Sequence, residues 1–246
     1  GYKEEKPWGD DKWIDEQVKR SERFQLLVKA GYNQKDIDSI FKIPVPMKVF
    51  SWAKVPIERD TMMAPIDSVR YYFTMLNCGF MAMEHENGYV KAWVGGTDFK
   101  YFKYDHILSK RQVGSTFKPV VYAAALNDSI KPCDYFRNKE ITIEDWSPKN
   151  SDNEYGGWYT MIGGLTYSSN VIAAQLIEKV GIQKTLDLAK KMGITSTLPR
   201  EFGISLGAAD ISLYEMMKVY GSIANKGVRP EIVTVLKIKD RYGNVI

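Results

Sequence analysis

The stretch Arg111-Gln112-Val113-Gly114-Ser115-Thr116-Phe117-Lys118-Pro119 decides how the rest of this 246-residue chain is read. Proline has no N–H and sits comfortably only in the first turn of a helix, so Pro119 places a helix start a few residues upstream, near Ser115. Ser115 then lies among unpaired backbone N–H groups at the positive end of the helix dipole. Lys118 follows three residues later, about one turn along the same face, within reach of the serine hydroxyl. Partial burial and the positive helix end lower a lysine pKa, and a neutral lysine can accept a serine proton. One segment thus offers a nucleophile, a base and oxyanion donors. The competing reading is a capping serine followed by a solvated lysine, and a bare pair at this spacing favours it.

Working outward from Ser115, the sequence turns mostly helical downstream and strand-like upstream. FKPVVYAAAL (117–126) is an apolar helix, and a polar loop spans 144–158. VIAAQLIEKV (171–180) is a helix closed by Gly181, residues 183–192 form an amphipathic helix stopped by Gly193, and a last helix covers 212–225. Upstream, FMAME (80–84), HENG (85–88) and YVKAWV (89–94) read as a β-hairpin. Before it, residues 1–30 carry Trp13, Ile14, Val18, Phe24, Leu27 and Val28 as the narrow apolar face of one helix. Asn33 caps a short helix through Phe41, MKVFSW (47–52) has strand composition, and a helix over 65–77 starts at Pro65 and stops at Gly79. The expected fold is α+β, an antiparallel sheet with an inserted helical subdomain. The expected division is a connecting region over 1–76 and a larger domain over 77–246.

Composition narrows the function. With 44% hydrophobic and 26% charged residues the chain is globular rather than disordered. The longest uninterrupted apolar run, residues 120–126, is far short of the roughly 18 residues of a membrane span. The net charge of +4 is spread rather than clustered, which argues against a nucleic-acid partner. FKYFKY (99–104) interleaves aromatics with lysines as a base-stacking platform would, but no basic stripe accompanies it, and a loop flanking a cleft explains it better. Cys78 and Cys133 fit no zinc or redox spacing and read as free structural thiols. Only His85 and His106 are histidines, so the base of any catalysis is expected elsewhere and no metal site is expected. Gly1 in place of an initiator Met, and a strand-like run over 232–239 that meets a turn at 240–244 and stops, suggest an excised piece whose return strand is missing.

A second constellation is Ser168-Ser169-Asn170, directly before the helix at 171–180. Any of the three can cap that helix. Alternatively Ser168 and Asn170, two apart on an extended stretch, point the same way, a hydroxyl to relay a proton and an amide to hold a peptide carbonyl. Both readings stand at this point.

Taken together, STFK (115–118) and SSN (168–170) resemble the S-x-x-K and S-x-N elements of penicillin-binding proteins and serine β-lactamases. RQVGSTFKPVVYAAAL (111–126) is similar to the segment around the nucleophile of class A, bifunctional penicillin-binding proteins. So are GFMAMEHENGYVKAWVGG (79–96), WSPKN (146–150), GWYTMIGGLTYSSN (157–170) and the run from SLGAADISLYEMM to GVRP (205–230). VPMKVFSW (45–52) and APIDSVRYY (64–72) look like the linker ahead of the transpeptidase domain.

The resemblance implies a serine D,D-transpeptidase that cross-links peptidoglycan stem peptides through an acyl-enzyme and is acylated by β-lactam antibiotics. It assigns Ser115 as nucleophile, Lys118 as base, Ser168 as proton relay and Asn170 as substrate-binding amide, with the Ser115 N–H as one oxyanion donor, and it implies no cofactor and no metal. It further implies a full-length protein anchored at the periplasmic face of the inner membrane, with a glycosyltransferase module in the same chain. Two departures stand out: Val113 replaces a common Pro, and no K-T-G or K-S-G triad occurs in the 246 residues. If that triad lies downstream, the chain as given is expected to be catalytically incompetent, with an unpaired sheet edge. The alternatives are a β-lactam-acylated sensor or binding module, a β-lactamase, for which no deacylating Glu is evident, and a non-catalytic remnant.

Overall fold

A single serine splits the first helix in two. The computed structural model describes residues 11–52 and 57–246, so the first ten residues of the expected helix lie outside the described residues. In place of one helix there are α1 (Asp11–Arg20) and α2 (Glu22–Lys29). Between them the Ser21 hydroxyl donates to the Val18 carbonyl (2.6 Å), ending α1, and accepts the Phe24 N–H (3.4 Å), starting α2. Ile14, Val18 and Phe24 remain on the buried face, whereas Trp13 and Val28 are exposed. The chain divides into two units, Gly1–Asn77 and Cys78–Ile246.

In the first unit Asn33 caps α3 (Gln34–Ile40), its side-chain oxygen accepting the Asp36 N–H at 3.0 Å. Ile37 and Phe41 close a small core with Ile14, Val18 and Phe24. β1 (Val45–Phe50) pairs antiparallel with β2 (Glu58–Met63), a strand that its composition, ERDTMM, does not announce. α4 (Pro65–Phe73) starts at Pro65 as expected but stops sooner than the expected residue 77. There the Thr74 hydroxyl turns back onto the Tyr71 carbonyl at 2.6 Å, and Leu76 is exposed.

In the second unit Gly79 is no helix cap; a Cβ there would press on the His106 backbone at 3.0 Å, so it marks a close approach of two chain segments. The hairpin is present as β3 (Phe80–Met83) and β4 (Val90–Val94), antiparallel, with an irregularity between Ala82 and Met83. β5 (Lys110–Gln112) pairs with β8 (Asp210–Ser212), and β6 (Tyr135–Arg137) with β7 (Trp158–Thr160). The class is α+β as expected, and among the described residues the strands pair two by two. Residues 232–239 do not form the expected strand: they keep isolated bridges, Val233 to Tyr89 and Lys239 to Val245. Val235, Leu236 and Ile238 are exposed, with no neighbouring strand among the described residues to complete a ladder. Cys78 and Cys133 are free, but both are exposed rather than structural.

The main core lies between helices. α5 (Lys118–Asn127) and α7 (Asn170–Val180) are apolar nearly all round and bury Val120, Val121, Ile172, Leu176 and Ile177 completely, as helices inside a core must. Around them pack α6 (Met161–Thr166), α8 (Ile182–Lys191) and α9 (Leu213–Ala224). Gly164 of α6 lets the helices meet: a Cβ there would lie 2.6 Å from an Ile172 methyl and 2.9 Å from the Tyr122 hydroxyl.

Candidate active site

Ser115 occupies a 3-10 turn, Gly114–Phe117, that runs straight into α5. In this tighter helix residues three apart eclipse, so Ser115 and Lys118 share an edge, and the Lys118 N–H donates to the Ser115 carbonyl. The turn is clamped by distant chain. Val113 and Gly114 donate to the carbonyls of Ala209 (3.1 Å) and Gly207 (3.2 Å), continuing the β5–β8 pairing. On the far side the Tyr220 hydroxyl donates to the Thr116 carbonyl at 3.0 Å. Gly207 has φ +78°, and a Cβ there would lie 1.9 Å from the Gly114 oxygen, so only glycine permits the crossing. Ser115 itself is exposed, and neither its hydroxyl nor its N–H has a hydrogen-bond partner among the described residues.

Lys118 is 1% exposed. Its Nζ donates to the Ser168 hydroxyl (2.9 Å), the Ser168 carbonyl (2.5 Å) and the Asn170 side-chain oxygen (2.7 Å). All three hydrogens of an ammonium are therefore engaged, each by a neutral oxygen. Burial lowers the pKa from 10.5 to about 8. The sequence pointed to a lysine bonded to Ser115; in the structure the Lys118 Nζ is bonded to the second constellation.

The geometry of that constellation also differs from the extended stretch expected. Ser168 follows α6 with φ +53°, its N–H donating to the Leu165 carbonyl while the Ser169 N–H donates to the Gly164 carbonyl. This is a helix terminus in which the left-handed position normally belongs to glycine. A serine there carries backbone strain of about 1 kcal/mol. What it supplies in return is a hydroxyl on Lys118. Ser169 does the capping, its hydroxyl accepting the Ile172 N–H at 3.4 Å, and α7 begins at Asn170. The two readings thus separate by residue: Ser169 caps, while Ser168 and Asn170 converge on Lys118, their side chains brought together by a sharp α6–α7 junction.

Two buried residues the sequence did not single out stand out here, Asn150 beside this constellation and Glu215 elsewhere in the same unit. Asn150 is buried and accepts, on its side-chain oxygen, the N–H groups of Asn170 (2.9 Å) and Val171 (3.3 Å) and the Ser169 hydroxyl (3.2 Å). Glu215, in the first turn of α9, is buried and accepts from the backbone N–H and hydroxyl of Ser212, Thr195 and Ser196. Burial opposes its charge, but these hydrogen bonds outweigh it and hold the carboxyl pKa down at about 2. The Ser-x-x-Glu spacing of residues 212–215 was a legible signal for Glu215, a capping box. Asn150 had no such signal beyond its place in WSPKN.

The FKYFKY loop lines its own cavity of about 360 Å³ with Trp93, Gly95, Gly96 and Asp105, and none of Ser115, Lys118, Ser168 or Asn170 borders it. Among the described residues no helix is long and apolar enough to cross a membrane.

A family model described as the penicillin binding protein transpeptidase domain matches residues 78–244, and one described as the penicillin-binding protein middle domain matches residues 3–76. Penicillin-binding protein 1A of Rickettsia bellii is 31% identical over 223 residues, covering 83% of this chain and 28% of that protein. The crystal structure of penicillin-binding protein 1A from Haemophilus influenzae aligns with a TM-score of 0.66 at 30% identity, over 69% of this chain and 26% of that one. The PonA1 protein of Mycobacterium tuberculosis, solved in complex with penicillin V, shares the fold at a TM-score of 0.64 and 21% identity, over 95% of this chain and 63% of that one.

Proposed function

The chain belongs to the penicillin-binding protein transpeptidase family, and from that premise we propose that it forms part of a serine D,D-transpeptidase that cross-links peptidoglycan stem peptides and is acylated by β-lactams at Ser115. One observation carries the reading: an exposed serine, whose hydroxyl and N–H have no hydrogen-bond partner among the described residues, stands one turn from a fully buried lysine bonded to Ser168 and Asn170.

In this mechanism Lys118 first releases a proton. With a pKa of about 8, about a tenth of the molecules are neutral at pH 7. The neutral amine has a lone pair for the Ser115 proton as Oγ attacks the stem-peptide carbonyl, and the Ser115 N–H receives the developing oxyanion. Ser168 can both accept from the ammonium and donate its own hydrogen, which suits it to pass the proton to the departing amine. The C–N bond breaks as the C–O ester forms. A second stem-peptide amine then attacks the ester, and the proton path runs in reverse. With a β-lactam the same attack opens the ring and leaves the acyl group on Ser115. Asn170 gives its oxygen to Lys118 and one amide hydrogen to the Lys149 carbonyl (2.7 Å), which leaves a second hydrogen for a substrate carbonyl.

The finer parts of the reading follow the family. The full-length protein is placed in the cell envelope, anchored at the outer face of the inner membrane, with a glycosyltransferase module in the same chain. No K-T-G triad occurs in the 246 residues, and in this proposal that triad supplies the second oxyanion donor and the carboxylate anchor. Losing one such donor costs about 100- to 1000-fold in rate, so these residues alone should acylate far more slowly than a longer chain that carries the triad. The test is mass spectrometry after penicillin treatment of the full-length protein: one adduct on the peptide containing Ser115 is expected. An adduct elsewhere, or undiminished labelling in Ser115→Ala, overturns the proposal.

A further inference from the structure

Asn150 lies 20 positions from Asn170 in sequence, yet it holds the start of α7 from outside. Its side-chain oxygen takes the first two N–H groups of the helix and the hydroxyl of the capping Ser169. Its amide nitrogen donates to the Asn138 side-chain oxygen (2.8 Å) and the Glu154 carbonyl (3.0 Å), which fix it in turn. The preceding carbonyl, Lys149, accepts the Asn170 amide hydrogen, which turns the Asn170 oxygen toward Lys118. The Lys149–Asn150 backbone and the Asn150 amide therefore settle both where α7 begins and which way the Asn170 side chain faces.

We propose that Asn150 is a positioning residue for acylation: by tying down the first turn of α7 it keeps Ser168 and Asn170 aimed at Lys118. The inference rests on Ser115 and Lys118 being the nucleophile and base. Asn150 touches neither, and its effect passes through the first turn of α7 to Asn170. Without it three donors lose their acceptor inside a site that is largely closed to water, and the junction that carries the strained Ser168 loses its brace. A group that orients a reacting residue in this way commonly governs rate by 10- to 100-fold or so, as outer partners do at metal sites.

The experiment measures the limiting rate of acylation by a fluorescent penicillin in the full-length protein, per folded molecule, alongside the melting temperature. Asn150→Ala should slow acylation about 10-fold or more, in line with that range. Asn150→Asp keeps an oxygen in place for all three donors, and its second oxygen, protonated or met by a flipped Asn138 amide, replaces the lost NH2 bonds in part. The rate should therefore recover most of the alanine loss, to within about 3-fold of the native protein, an effect of half a kcal/mol or so. Should the alanine variant not fold, Asn150→Ser takes its place, because water can enter beside the shorter side chain, and the same loss is expected. Equal rates in all variants, or equal losses without rescue by Asp that merely follow a lowered melting temperature, overturn the proposal. Ser115→Ala serves as the control that separates the two levels: if it still labels, the assignment of the nucleophile has failed, whatever Asn150 does.

Discussion

Two charges lie buried in the second unit, and they are buried for opposite ends. Glu215 is enclosed by hydrogen-bond donors from Ser212, the N-cap of α9, and from Thr195 and Ser196 on the chain that follows α8, and its pKa sits at about 2. Lys118 is just as hidden, but it meets three neutral oxygens and no counter-charge among its partners, and its pKa falls to about 8. In the first case hydrogen bonding beats desolvation and the charge is locked. In the second, desolvation wins and the proton is loosened. Burial alone is therefore no guide to function; the balance between desolvation and the partners decides whether a group braces the fold or exchanges a proton.

The sharpest way to break this contrast is at Lys118. In the full-length protein both Lys118→Ala and Lys118→Arg should lower the penicillin acylation rate by about 100- to 10,000-fold, because a guanidinium keeps the charge but does not give up its proton. Retained activity in the arginine variant would mean that the lysine acts by charge alone. The matching substitution, Glu215→Ala, should instead cost about 3–5 kcal/mol of stability in denaturant unfolding, since it strands a nest of buried donors. Acylation per folded molecule should hardly move. A collapse of acylation comparable to that of Lys118→Ala would erase the distinction.

The pH dependence of stability sharpens the contrast further. A depressed carboxyl stabilises above its unfolded pKa of 4.5 and loses that contribution as pH falls through about 2. A depressed lysine does the reverse of a salt-bridged one: the folded state releases its proton near pH 8, the unfolded state near 10.5, so stability rises across that interval. Each arm is worth about 3 kcal/mol. Denaturant melts should lose the acid arm in Glu215→Gln and the alkaline arm in Lys118→Met, and an arm surviving its own substitution assigns it to another group. The smallest effect belongs to the plain cap. Ser169→Ala should cost about 1 kcal/mol of stability, as a lost N-cap does, and any larger loss of acylation than this implies would place Ser169 with Ser168 and Asn170 in function.

Much of this was legible because it is local. Pro119 located the helix start beside Ser115, glycines 181 and 193 fell at helix ends, and alternation around HENG marked the β3–β4 hairpin. The convergence of Ser168 and Asn170 on Lys118 needed the family resemblance, since the residues are 50 and 52 positions away. What escaped the sequence was set by tertiary partners. β2 has a polar composition and exists because β1 pairs with it. The run at 232–239 has strand composition but finds no ladder among the described residues. Ser21 looked like one more helical residue until its hydroxyl bridged two helix ends, and Asn150 is an unremarked loop amide unless the start of α7 is placed against it. The resting partners of Lys118 were missed for the same reason: spacing showed that Lys118 could reach Ser115, but not that its hydrogen bonds go to Ser168 and Asn170.

The crossing of Gly207 over Gly114 carries a consequence for how the molecule assembles. The turn that bears Ser115 is shaped by chain that comes much later, and its Thr116 carbonyl is fastened by a tyrosine 104 positions away. Closing so large a loop is entropically slow compared with coiling a helix, so α5 and α7 can form while the serine turn is still open. During synthesis the nucleophile is thus made early and finished late: a nascent chain ending before residue 207 holds every atom of Ser115 and Lys118 without the clasp that arranges them. Pulsed hydrogen exchange during refolding should find the amides of Val113 and Gly114 protected only after those of α7, and protection in the opposite order would show that the turn shapes itself.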